Sequence, residues 1–175
     1  MSTTAFLFRR SWLAGSDVET RIRRIEQNPP IEQQGNVIRV GWFADDDLPR
    51  NISITYEITV PAATRLSART GSGAIVVGAI AGPAEVKSGS GSVRIDGRPS
   101  GPWALHASSG GITMTIPPDA AFDLDARTNS GSIDSVHPVT MEVTGKIDKR
   151  RIQGKVRGGG PRIEASCASG SIRIR

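Results

Sequence analysis

The sequence is poor in the residues that build large cores and reactive sites. Aromatic residues make up 5% of the 175 residues and hydrophobic residues 37%, while the chain holds 20 glycines and 11 prolines. Such a composition suits a narrow interior filled by small side chains. The single cysteine, Cys167, excludes an internal disulfide, and no zinc or haem spacing is present. We therefore expect no cofactor and no metal site.

Long apolar runs are also missing, since none approaches the roughly 18 residues of a transmembrane helix. The short apolar segment 5–8 is followed by Arg9 and Arg10, which is the reverse of the order in a signal peptide. From these residues we expect a disordered or extended lead-in over 1–17 and a cytoplasmic chain as written. The net charge of +5 permits attraction to anionic polymers.

What the sequence does contain is a short phrase that returns at a period near 19 residues, which indicates stacked structural units. The copies are TGSGAIVV (70–77), SGSGSVRI (88–95), ASSGGITM (107–114), TNSGSIDS (128–135) and CASGSIRI (167–174). Apolar residues alternate on both sides of the glycine in each phrase, as in a strand with one buried face. Each unit therefore reads as strand, glycine corner, strand.

Stacking these units pairs each strand with its copy in the next turn, about 4.8 Å away. The prediction is an all-β fold: a right-handed parallel β-helix (β-solenoid) with about 18–21 residues per turn. An antiparallel sandwich is the rival. It explains less, because a sandwich has no reason to repeat the same order of side chains.

Two recurrent residue types in the phrase are given structural roles. The glycines would occupy corners of positive φ, which only glycine adopts cheaply; they are Gly73, Gly91, Gly110, Gly131 and Gly170. The serines just before them would point inward and form a hydrogen-bonded ladder; they are Ser72, Ser90, Ser109, Ser130 and Ser169. A serine nucleophile lacks a suitable base, so we expect no catalytic residue.

The residues before the repeats are less regular. Alternation predicts a strand over 52–60 and another over 37–43, and for 18–25 we favour a strand over a helix. We expect residues 18–175 to form a single solenoid domain. In it, 18–65 would supply irregular N-terminal strands that cover one end, and 66–175 the repeat turns, with an irregular turn between 136 and 162.

Outward positions carry a basic stripe that would track a linear polyanion. Residues 146–162 add a second concentration of positive charge beside a glycine run. The candidate contact residues are Arg69, Lys87, Arg127, Lys146, Lys149, Arg150, Arg151, Lys155 and Arg157. The expected partner is an anionic polysaccharide or a membrane surface; nucleic acid is disfavoured because few aromatic residues lie nearby for base stacking.

The C-terminal residues 172–175 lie inside a repeat, with no visible cap. An uncapped solenoid end offers unpaired backbone groups, so we also expect a possible homo-oligomer through this turn.

The segments ITVPAATRLSARTGSG (58–73) and GKVRGGGPRIEASCASGSIRIR (154–175), with the SG phrases between them, resemble the bacterial "putative adhesin" family of β-strand-repeat domains of unknown function. The resemblance implies a right-handed β-solenoid and an association with the cell envelope. It implies no catalytic residues.

Three functions follow from this reading. The first is a non-enzymatic scaffold or adhesion-type binding module, because every recurrent residue has a structural use. The second is a self-assembling β-helical structural protein. The third is a polysaccharide-acting enzyme, which would need clustered outward carboxylates.

Overall fold

The computed structural model describes residues 4–9, 16–41, 43, 49, 52–137, 139–140 and 150–175. The chain divides into two compact units, Met1–Val60 and Pro61–Arg175. The sequence placed its boundary after residue 17 and joined 18–65 to the repeat turns. The structure instead separates the chain after Val60, so only 61–65 of that segment belong with the repeats.

The described residues of the first unit form one helix and two antiparallel strand pairs. Its strands are β1 (Thr4–Arg9), β2 (Ile31–Gln34), β3 (Val37–Val40) and β4 (Ser53–Ile58). β1 pairs with β4 and β2 with β3. The strands β3 and β4 confirm the two that alternation predicted. Residues 4–9 of the predicted disordered or extended lead-in form an extended strand, which is paired with β4.

The helix α1 (Ser16–Gln27) corrects the strand that was favoured for this segment. Val18, Ile22 and Ile25 fall at helical spacing on one face, and Ile25 is buried. A strand would have turned Thr20 to the same side as Val18 and Ile22, but Thr20 is exposed. The paired prolines at 29–30 then prevent the helix from continuing.

The second unit is built from the repeats. Its strands are β5 (Leu66–Thr70), β6 (Ile75–Val77), β7 (Ala84–Ser88), β8 (Val93–Asp96), β9 (Trp103–Ala107), β10 (Ile112–Thr115), β11 (Phe122–Ser130), β12 (Ile133–Ser135), β13 (Val139–Thr140), β14 (Arg151–Val156), β15 (Arg162–Ser169) and β16 (Ile172–Ile174). Each repeat phrase supplies one coil, which is a pair of strands joined at a glycine corner.

The coils stack so that their first strands form one sheet and their second strands another. The five-stranded sheet has the order β12-β16-β10-β8-β6, and every neighbouring pair in it is parallel. The seven-stranded sheet has the order β13-β14-β11-β15-β9-β7-β5 and is mixed, because β14 runs antiparallel to both β11 and β13. Parallel pairing of coil on coil excludes the antiparallel sandwich for these repeats. The antiparallel β14 is the irregular turn predicted within 136–162.

The last coil in the chain does not lie last in the stack. β16 pairs with β10 on one side and β12 on the other, while β15 pairs with β9 and β11. The β15–β16 coil is therefore inserted between the third and fourth coils. The prediction of an uncapped C-terminal turn is wrong, since both of its strands have partners on both sides. Assembly into oligomers through that turn loses its structural basis.

The interior consists of the apolar columns that alternation predicted. Val93, Ile112, Ile172 and Ile133 form one such column across the five-stranded sheet, and each is at most 8% exposed. Among the described residues the largest buried side chain is that of Trp103, whose Nε1 donates a hydrogen bond to the Gly82 carbonyl at 3.1 Å. Fully burying one of the valine or isoleucine side chains of this column contributes roughly 1.5–3 kcal/mol to the stability of the fold.

The serine column predicted to line the interior lies outside. All five serines, Ser72, Ser90, Ser109, Ser130 and Ser169, are exposed. The prediction extended strand alternation too far. β5, β7 and β9 end two residues before their serines, and Ser130 and Ser169 are the last residues of β11 and β15. The backbone N–H of Ser90 instead donates to the Gly71 carbonyl of the neighbouring coil at 2.8 Å. These serines therefore do not form a ladder inside the stack.

Hydroxyl and thiol groups do line four of the five corners, two residues before those serines; the equivalent residue of the third coil is Ala107. Ser88 Oγ accepts a hydrogen bond from the Gly91 N–H at 3.0 Å, and Thr128 Oγ1 donates to the Gly170 carbonyl at 2.8 Å. Cys167 Sγ donates to the Gly110 carbonyl at 2.9 Å, and burial raises the pKa of this thiol. This inner column satisfies corner backbone groups that would otherwise be buried without partners.

The corner glycines are needed mainly for contact between coils. Among the five of them only Gly131 has a positive φ, of +152°. A β-carbon on Gly91 would overlap the carbonyl oxygen of Gly73, and one on Gly170 would lie 2.6 Å from that of Gly110. Gly110 and Gly131 meet the corner backbone of their neighbours in the same way. The residue is therefore glycine because backbone lies against backbone, and not because each corner has a positive φ.

We expect Gly91→Ala to lower the free energy of unfolding by about 1–3 kcal/mol, because the added methyl group overlaps the adjacent coil. Gly73→Ala is the matched control: it holds the same place in the first phrase, where a β-carbon meets only the Thr70 hydroxyl at 3.1 Å. Urea unfolding followed by circular dichroism measures both. Equal losses would contradict the account, since they would mean that the corner conformation itself requires glycine.

Candidate functional site

The outer face of the seven-stranded sheet carries charged side chains in parallel rows. Strand register aligns Arg69, Lys87, His106, Ser166, Arg127 and Arg151 across six strands. In the next outward row, two residues away on each strand, the register aligns Ser67, Glu85, Ala104, Glu164, Asp125 and Gln153. A largely basic row therefore lies beside a partly acidic one. The contact residues predicted from the sequence did not include the acidic row.

At the first two coils the acidic row partly neutralises the basic row. Glu85 Oε1 is 2.7 Å from the Lys87 ammonium and 3.2 Å from the Arg69 guanidinium. The hydrogen bond and charge of Lys87, aided by Arg69, hold the pKa of Glu85 below its usual value. All three side chains are substantially exposed, so solvent screens these pairs and their contribution to stability is small. Two of the predicted polyanion contacts thus share a carboxylate partner.

A denser cluster surrounds Asp125 near the other end of the sheet. Its side chain is 10% exposed, and its carboxylate oxygens lie 3.7–3.9 Å from the guanidinium groups of Arg127, Arg151 and Arg162. Arg162 also forms an ion pair of 2.5 Å with Glu164. The insertion of β15 beside β11 is what delivers Arg162 and Glu164 to this cluster.

A groove follows β11 across this cluster, and we call it the β11 groove. It encloses about 340 Å³ and is lined by Asp123, Leu124, Asp125, Gln153, Gly154, Lys155 and Arg162. The aspartates are short and occupy the central strand, whereas β14 and β15 on either side present longer side chains. The difference in side-chain length between neighbouring strands creates the depression.

A family model described as Toastrack DUF4097 matches residues 52–175. The chain belongs to this family. This confirms the adhesin-like family of domains of unknown function to which the sequence was assigned. A solved structure titled as a putative cell adhesion protein from Clostridium sporogenes is 14% identical, with a TM-score of 0.48 over 82% of this chain and 73% of that one. Comparison with curated proteins gave no match.

The Toastrack repeats bring some of the predicted contact residues together and separate others. Arg127, Arg151 and Lys155 lie around the β11 groove, whereas Arg69 and Lys87 lie at the opposite side of the sheet. Arg157 is in the turn after β14, where its Nε donates to the Pro118 carbonyl at 2.6 Å. Arg150 lies in the turn that precedes β14. Lys146 and Lys149 lie outside the described residues.

Sequence reasoning missed Asp123, Asp125 and Glu164 as parts of one site. Asp123 and Asp125 alternate on β11 and share a face, which the sequence does indicate. Their meeting with β15 depends on coil order, which the sequence does not indicate. Among the described residues, no group of three or more His, Cys, Asp or Glu side chains is placed to hold a metal ion. In the same part of the chain no helix is long and apolar enough to cross a bilayer.

We expect Asp125→Asn to lower the free energy of unfolding by about 1–3 kcal/mol, because three guanidinium groups lose a buried counter-charge. Asp119→Asn serves as the control. Arg98 donates to that carboxylate at 2.6 Å and holds its pKa below the usual value, but the pair is exposed and its loss should change stability little. Urea unfolding at low and high salt compares the two. A change in Asp125→Asn no larger than that in Asp119→Asn would contradict a structural role for the cluster.

Proposed function

We propose that the second unit is a right-handed β-solenoid that acts as a non-enzymatic, adhesion-type binding module. The observation that carries this proposal is that the two faces of the seven-stranded sheet have different roles. Inward residues fill the coils and corner glycines allow them to stack, so the apolar residues and glycines of the recurrent phrase serve the fold, while its serines are exposed. Only the outward rows vary in chemistry from coil to coil, and a partner would be recognised there.

The proposed partner is a linear anionic polymer or anionic surface. On the outward positions of β5, β7, β9, β15, β11 and β14 the described strands carry six Lys or Arg residues and four Asp or Glu residues, an excess of two positive charges. Neighbouring strands repeat about every 4.8 Å, so these charges would meet a regular polymer at regular intervals. The basic residues Lys146, Lys149, Arg150 and Arg157 would extend this contact.

The alternatives receive less support. A self-assembling structural protein was expected to grow from an uncapped C-terminal turn, and that turn lies inside the stack. A polysaccharide-acting enzyme needs one carboxylic acid and one carboxylate free to act on the glycosidic bond. Asp125 is engaged by three guanidinium groups and Glu164 by Arg162.

The proposal predicts salt-dependent retention on immobilised heparin that depends on one face. Lys149/Arg150/Arg151→Ala should elute at clearly lower salt than the wild type, because screened attraction falls with the number of contacting charges. The matched control, Arg94/Arg173/Arg175→Ala, removes the same charge from exposed residues in and next to the five-stranded sheet. Equal elution of the two variants, including elution of both at the wild-type salt concentration, would contradict a specific face, and failure of the column to retain the wild type would contradict polyanion binding.

A further inference from the structure

The basic row on the outer face of the seven-stranded sheet is interrupted at its centre. Strand register places His106 on β9 and Ser166 on β15 side by side, between Lys87 on β7 and Arg127 on β11. His106 is exposed, and its Nδ1 lies 2.9 Å from the Ser166 hydroxyl oxygen. The charge at this position depends on the imidazole ring, because histidine is the side chain that gains or loses a proton between about pH 5 and 8.

The width of this interruption makes the state of the ring important. Lys87 and Arg127 are three strand steps apart, which is about 14 Å at the spacing of paired strands. An acidic group of a polymer at the centre lies about 7 Å from either strand, close to the Debye length of about 8 Å at physiological ionic strength. Salt therefore weakens the attraction of both basic residues for that group. A protonated His106 supplies a positive charge at the centre itself.

The acidic residues around His106 are engaged by other side chains. On β9 the neighbouring position in the acidic row is Ala104, which carries no charge. On β7, Glu85 is held by the two basic residues of the first two coils, and on β15, Glu164 forms an ion pair with Arg162 at 2.5 Å. A proton on the ring therefore adds a charge that a partner can meet. The residues two positions further along the three strands are uncharged: Gly89, Ser108 and Ala168.

One added charge is a large change for this face. Its outward positions carry an excess of two positive charges while the ring is neutral, and protonation raises the excess to three. A polyanion stabilises the protonated ring, so protonation and binding favour each other reciprocally. We infer that His106 is the pH-dependent contact at the centre of this face, which binds an anionic polymer more tightly below about pH 6 than above about pH 7. The inference rests on the proposed function and adds its regulation.

The test is a calorimetric titration with a heparin-derived oligosaccharide at pH 5.5 and at pH 7.5, at one fixed ionic strength. The sulfate groups of this probe stay ionised at both pH values. The wild type should bind about threefold to fivefold more tightly at pH 5.5, which is the effect of one added exposed charge pair. His106→Gln is neutral at both pH values and should show the weaker affinity at each. His106→Arg is charged at both and should show the tighter affinity at each.

The control is the other histidine of the chain, His137, which is buried. His137→Gln, checked for folding by circular dichroism, should keep the difference between the two pH values. Equal affinity of the wild type at both pH values would overturn the inference and leave polyanion binding in place. A difference that persists in His106→Gln, or a His106→Arg that binds no more tightly than His106→Gln, would also overturn it. Absence of wild-type binding at both pH values would overturn the proposed function as well.

Discussion

The corners of adjacent coils lie backbone against backbone, and this contact governs the rest of the second unit. A side chain of even one carbon at Gly91 would enter the space of the Gly73 carbonyl. The absence of a side chain lets coils approach to the spacing of paired strands, about 4.8 Å. It also brings the hydroxyl and thiol groups of the inner column within reach of corner carbonyls and amides. Apolar columns then meet across a thin interior that isoleucine, valine and alanine can fill.

The same contacts show that the coils are stacked in an order that differs from their order in the sequence. The corner of Gly170 lies against Gly110 on one side and Gly131 on the other, so the last coil occupies an internal position. The candidate site depends on this arrangement. Had the coils stacked in sequence order, β9 would flank β11, and Ala104 and His106 would lie where Glu164 and Ser166 now do. Neither Arg162 nor the salt bridges to it would then belong to the β11 groove.

Much of the fold can be predicted from the sequence because alternation and periodicity act locally. The spacing of Ile112, Met114 and their equivalents indicates strands with one buried face, and the structure buries them. The coil order cannot be predicted in this way, since each coil presents nearly the same columns to its neighbours and any order would bury them. The serine column failed for a different reason: alternation breaks at the corners, where the serines lie either beyond the strand, as Ser90 does after β7, or at its last residue, as Ser130 does in β11.

The candidate site was predictable only in part. Outward basic residues such as Arg127 follow from parity, and their exposure agrees with it. The acidic partners come from other strands, so their positions depend on which strands are neighbours. Predicting helix α1 would have required weighing helical spacing above strand alternation in a segment where both patterns fit. Non-local pairing thus explains the missed acidic residues, and competition between local patterns explains the missed helix.

The internal position of the last coil can be tested directly by engineered disulfides in a Cys167→Ser background. Thr113 and Arg173 are register partners on β10 and β16. The account predicts that Thr113→Cys/Arg173→Cys oxidises readily to an intramolecular disulfide, since opposed strands lie within the reach of about 7 Å that the bond requires. Thr113→Cys/Asp134→Cys should remain reduced, because β16 lies between those strands and separates them by about 10 Å. Efficient closure of the second pair and failure of the first would contradict the account.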